Sequence, residues 1–189
     1  MTDSVLSVLR PTADALDARL RVVVRAHYDA LWRFLRRMGV PDGQVEDAAQ
    51  QVLLVFARRA DDVAGDAERP FLFGTALRVA SDFRRKRKTV CEVSADETTL
   101  EHPDPGPDAE ALFGQMEQRR CLDRILDELA PEQRAVFVLV ELEELTMDAV
   151  RRLLSIPAGT VASRLRRARE LVELRALAIR AQLEKGHAR

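Results

Sequence analysis

At 189 residues, 47% of them hydrophobic and 32% charged, the chain reads as a soluble globular protein able to bury one ordinary core or two small ones. Its 30 Lys and Arg balance 31 Asp and Glu to a formal net charge of -1, so total charge gives no sign of a polyanion-binding protein and attention shifts to where the charges sit. No stretch approaches the roughly 20 apolar residues needed to cross a bilayer, and the start, "MTDSVLSVLRPTADALD", has neither a basic leader nor a proper apolar stretch. The expectation is a cytoplasmic protein without membrane insertion. Cys91 and Cys121 lack metal-ligand or CxxC spacing, and His27, His102 and His187 are scattered, so neither metal nor cofactor is expected.

Apolar residues recur at helical spacing along nearly the whole chain, without convincing period-two alternation, which predicts an all-α fold. Residues 1–21 read as an N-terminal extension and 22–89 as a first helical domain. Within it, "VEDAAQQVLLVFARRA" from Val45 to Ala60 has an apolar stripe at Val45, Ala48, Ala49, Val52 and Phe56. The opposite face carries Asp47, Gln50, Gln51, Leu54 and Arg58. A leucine centred on a polar face is either one of the scattered exposed apolar residues of any surface or an anchor for a protein partner.

The loop "DDVAGDAER" leads to "PFLFGTALRVASDFRRKRK", where Leu72, Ala76, Val79 and Phe83 form the expected buried stripe. Gly74, Leu77, Arg78, Ser81, Arg85 and Lys88 lie on the far face. Glycine inside a helix costs about 1 kcal/mol relative to alanine, so Gly74 suggests close approach of another backbone, helix packing being the plainer alternative. Residues 90–111, with three prolines, a glycine and a run of acids, cannot propagate a helix or bury a core and read as an acidic linker.

The second domain is expected over 112–172, followed by a helical tail over 173–189. "CLDRILDEL" and "PEQRAVFVLVEL" supply two helices, with Pro131 suited to a first turn. "LTMDAVRRLLSIPAGTVASRLRRARE" supplies two more around a corner at Ser155, Ile156 and Pro157. Thr146 can cap the first, in which Met147, Val150 and Leu154 share a face; Val161, Leu165 and Ala168 do so in the second. That pattern is a helix-turn-helix. Thr160, Ser163, Arg166 and Arg167 project from the side opposite the stripe, where arginines can reach guanine edges or phosphates in a major groove.

These segments, in this order, resemble the bacterial RNA polymerase sigma factors, specifically the extracytoplasmic-function group. "VEDAAQQVLLVF" resembles the family's clamp-binding helix, "RPFLFGTALRVASDFRRKRK" its promoter -10 helix, and Leu145 to Glu170 its -35 helix-turn-helix. The resemblance implies a protein that binds core RNA polymerase, recognises -35 and -10 elements of promoter DNA and assists melting, without enzymatic activity; an anti-sigma factor is a candidate further partner whose presence the sequence does not give. It implies that Asp47, Gln50, Gln51, Leu54 and Arg58 meet the polymerase, that Gly74, Arg78, Ser81, Arg85 and Lys88 lie at the -10 DNA, and that Thr160, Ser163, Arg166 and Arg167 serve the -35 element. The loop Asp61 to Arg69 would hold a flipped base. Departures from the family pattern are Arg151 for a small alanine, Ser155 for a turn glycine, Ala162 for a basic residue, Phe71 for tryptophan and Arg78 for asparagine. The competing reading is a self-sufficient dimeric helix-turn-helix regulator, which leaves the first domain's basic helix and loop without a task. An enzyme is disfavoured because the sequence offers no Gly-rich phosphate loop, metal cluster or nucleophile-base pairing.

Overall fold

The computed structural model describes residues 13–91 and 119–187, with side chains described over 16–86 and 119–182. Nearly all of the expected acidic linker, and His102, lie outside these residues. Among the described residues every regular element is helical, as the periodicity predicts, and the elements fall into two compact units.

The first unit contains α1 (Ala13–Arg37) except its last residue, α2 (Val45–Arg59) and α3 (Glu68–Cys91), linked through short 3-10 turns at Asp42–Gln44, Ala60–Asp62 and Gly65–Ala67. Helix α1 begins well before residue 22, taking in part of the segment read from sequence as an extension. Gly39, at φ 87°, takes the left-handed conformation that stops α1, and the Val40 N–H donates to the Leu35 carbonyl at 3.2 Å. Val23, Leu31, Phe34 and Leu35 of α1 are buried, and so is the whole predicted α2 stripe, Val45, Ala48, Ala49, Val52 and Phe56.

Helix α3 differs from its sequence reading. Leu72 and Ala76 are buried, but Val79 and Phe83 are only half-buried, while Phe73, Thr75 and Ala80 are buried instead. The inner face is broader than the predicted stripe because α3 is packed on two sides. Phe73 meets Phe34 of α1 edge-on at 4.9 Å between centroids, and Phe71 meets Phe56 of α2 at 6.1 Å. His27 of α1 is held below the ordinary histidine pKa, mainly by burial and then by the Arg69 charge, with Glu68 opposing. A histidine depressed in the folded state contributes stability that is complete above its unfolded pKa and is lost as pH falls towards the folded one.

The second unit contains α4 (119–127), α5 (Pro131–Phe137), α6 (Met147–Leu154) and α7 (Ala158–His187). Pro131 opens α5, as expected. The helix continues through a π turn at Val138–Leu142, where the Glu143 N–H reaches the Val138 carbonyl at 2.9 Å. Leu126, Val136, Leu139, Val150, Val161 and Ala168 form the core. Arg134 is also buried, its guanidinium 2.7 Å from Asp127. Residues 173–187 continue α7 without a break.

Ser155 ends α6 at φ 53°, ψ 43°, the left-handed position where a Cβ is unfavourable. Ser155→Gly should therefore stabilise the second unit by about 0.5–1 kcal/mol, the relief of strain exceeding the added freedom of the unfolded chain. Thermal unfolding of the full chain would register a raised midpoint. A lowered one would show that the serine side chain holds the corner.

Candidate nucleic-acid interface

The corner between α6 and α7 is set by local chemistry. Thr146 caps α6, its hydroxyl oxygen accepting from the Ala149 N–H at 3.2 Å, and the left-handed Ser155 turns the chain towards Pro157. The Thr160 and Val161 N–H groups both reach the Pro157 carbonyl, at 2.9 and 3.1 Å, starting α7. Val150 of α6 and Val161, Leu165 and Ala168 of α7 are buried together, which fixes the rotation of α7 about its axis. Met147, expected in that buried face, is exposed. It stands at the first position of α6 and lines an open surface groove of about 450 Å³ with Val140, Leu165 and Arg169.

With α7 fixed in this way, Arg166 and Arg167 are exposed and Thr160 and Ser163 are half-buried. Ser163 donates its hydroxyl hydrogen to the Thr160 carbonyl at 3.1 Å, so its oxygen remains able to accept. Arg166 is 2.7 Å from Glu170, one turn along the helix. That pair was readable from its i, i+4 spacing and was missed. Arg151 stays at the edge of the helix contact by pairing with Asp148 at 3.0 Å, its charge carried outward as its sequence position requires. Ala162 is exposed on α7.

In the first unit the outer face of α2 presents Asp47, Gln50, Gln51, Leu54 and Arg58, all exposed, with Leu54 at 57%. On α3, Arg78, Ser81 and Arg85 are exposed and Gly74 is half-buried, while the Lys88 side chain lies outside the described residues. Arg85 is 2.9 Å from Asp82. Phe71, where the family pattern has tryptophan, serves the packing against Phe56.

The connection between α2 and α3 is held by a residue to which sequence reasoning gave no role. Arg19 of α1 donates from Nε to Glu68 at 2.9 Å, from Nη1 to the Ala60 carbonyl at 2.7 Å and from Nη2 to the Val63 carbonyl, and it lies over the Phe56 ring at 5.7 Å. No sequence signal marks it, because its partners are 41 to 49 residues away and two of them are backbone carbonyls.

Family comparison matches residues 23–90 to sigma-70 region 2 and residues 119–172 to sigma-70 region 4. Among curated proteins, an RNA polymerase sigma-E factor of Streptomyces avermitilis is 33% identical over 174 residues, covering 84% of this chain and 87% of the relative. An ECF RNA polymerase sigma factor SigE of Mycolicibacterium smegmatis is 26% identical over 148 residues, covering 78% of this chain and 58% of that protein. Among solved structures, CnrH in complex with the cytosolic domain of CnrY has a TM-score of 0.64 at 21% identity, covering 86% of this chain and 90% of that one. The sigma factor RpoE in complex with the anti-sigma factor NepR from Bartonella quintana also has a TM-score of 0.64, at 19% identity, with 85% and 95% covered. At such identities these two likenesses establish the fold. The two matched regions in their order, together with the Streptomyces relative, establish the family: the chain belongs to the sigma-70 family of RNA polymerase sigma factors, in its extracytoplasmic-function group.

Proposed function

We propose that the chain joins core RNA polymerase, brings it to promoters through -35 and -10 contacts and assists melting, with the work divided between its two units. The outer face of α2 around Leu54, with Asp47, Gln50, Gln51 and Arg58, binds the polymerase. The outer face of α3, from Gly74 through Arg78, Ser81 and Arg85 to Lys88, follows the -10 DNA, and the loop between α2 and α3 receives a flipped base. Thr160, Ser163, Arg166 and Arg167 serve the -35 element from α7, presented in a major groove. The protein performs no catalysis of its own and works in the cytoplasm; no described helix is long and apolar enough to cross a membrane. The names of the two solved neighbours add a partner class, since one is a sigma factor held by an anti-sigma factor, and we extend that class of partner to this chain.

The observation that carries this reading is that no described residue of the three sets is buried, while each helix that bears them anchors an opposite face in a core. A self-sufficient dimeric regulator would use the second unit's DNA-reading helix together with a dimer interface, sensing through its first half, and would leave the basic outer face of α3 and the loop before it without a task. The test is transcription in vitro with purified core polymerase on a library of random promoters. Start sites absent with core alone are expected when the protein is added, without any small cofactor. An unchanged pattern of start sites, or no association with core, would overturn the proposal.

A further inference from the structure

The loop joining α2 to α3 is fixed at its base and open at its crest. Ala60 and Val63 are buried and Glu68 is half-buried, whereas Ala64, Gly65, Asp66 and Ala67 between them are exposed. A Cβ added at Gly65 would meet nothing within 4 Å. The fixed part converges on one guanidinium. Arg19 satisfies the carbonyls of Ala60 and Val63, pairs with Glu68 at the first residue of α3, and lies over Phe56 in the last turns of α2. Hydrogen bonds from a charged donor are roughly twice as strong as neutral ones, and a planar fork with five N–H groups is the side chain that can hold three acceptors in fixed directions.

We infer that Arg19 is a positioning residue for base capture: it touches no DNA, but holds the loop of residues 60–68 in the shape that receives an unstacked base of the melted -10 strand. This rests on the reading of that loop given above. Removing the fork releases the Val63 carbonyl and the start of α3 together and leaves the Ala60 carbonyl with the 3.3 Å bond from the Val63 N–H, so the crest loses the fixed base from which it meets the nucleotide. Lysine cannot replace it, being a point charge unable to span both carbonyls and Glu68.

The experiment measures binding of holoenzyme, reconstituted from full-length chain and core polymerase, to single-stranded oligonucleotides spanning the -10 element, intact and with an abasic site at each position in turn. Wild type should show one position at which base loss weakens binding sharply. Arg19→Ala should bind the intact strand on the order of tenfold more weakly, the scale of lost charged hydrogen bonds, and the abasic penalty at that position should nearly vanish. Arg19→Lys should resemble alanine. Competition for core, run beside it, should change little, and thermal unfolding should show a lowered midpoint with the first unit still folded at the assay temperature. If wild type has no abasic-sensitive position, the reading of the loop as a base receiver fails first. If it has one and Arg19→Ala keeps the full penalty there, Arg19 does not position the loop. If both variants unfold the first unit, Arg19 supports the fold rather than base capture, and the inference is equally overturned.

Discussion

Leu54→Asp should weaken association with core RNA polymerase by roughly 30- to 1,000-fold, the about 2–4 kcal/mol expected when an anchor in an interface is lost. The size comes from two effects acting together. An apolar side chain that is 57% exposed in the free chain loses its partner surface, and a carboxylate takes its place where the partner would strip away water without supplying a counter-charge. Folding should scarcely respond, because the α2 stripe from Val45 to Phe56 is complete without Leu54 and exposed substitutions move stability by no more than about 0.5 kcal/mol. The check is paired: competition of variant and wild type for core, and thermal unfolding of the isolated variant. Normal folding with undiminished competition would place the polymerase surface elsewhere.

Removing a guanidinium from α7 has the next largest expected effect. Arg166→Ala and Arg167→Ala should each weaken recognition of the -35 element, by about 1–3 kcal/mol, or roughly 5- to 150-fold, where the contact is to a base edge. The two are not equivalent. Arg166 is already paired with Glu170 and must give up that contact to reach DNA, and an exposed pair of this kind is worth up to about 1 kcal/mol. Arg167→Ala is therefore expected to be the more damaging. Footprinting on matched promoter variants over a range of salt separates the modes: a base contact relaxes preference at one position, whereas a phosphate contact weakens all sequences alike and lowers the salt slope by about one. Unaltered binding by both variants would leave α7 a solvated basic helix.

What could be read from sequence and what could not divide along a physical line. The α2 face was fully legible, since a helix packed on one side shows its phase in its own residues, and all ten of the assigned positions, Val45 to Phe56 within and Asp47 to Arg58 without, lie as the periodicity placed them. Helix α3 was legible only in part because α1 and α2 both cover it; packing from two directions buries Thr75 and Ala80 as well, and no single stripe describes that. The corner at Ser155 was visible as a corner, but serine itself gives no signal of its left-handed backbone, which only the turn glycine of the family pattern hinted at. Val136 to Val140 is continuously apolar and carries no phase at all, which is why the change from α to π geometry at Val138 was invisible. Arg19 was beyond reach for a different reason: contacts to main-chain carbonyls select no residue type at the other end.

The length of α7 carries one more implication. Thirty residues at 1.5 Å each make a rod of about 45 Å, with Arg166 and Arg167 near one end and exposed Leu174 and Leu177 farther along it. A tilt of ten degrees at the Pro157 end carries the far end sideways by about 8 Å, from the same rise per residue. Read in reverse, a grip near His187 limits the angle of the arginines far more tightly than an equal grip beside them, because the lever arm is several times longer. No turn interrupts the rod between the two ends, so torque applied at one is delivered to the other without a joint to absorb it.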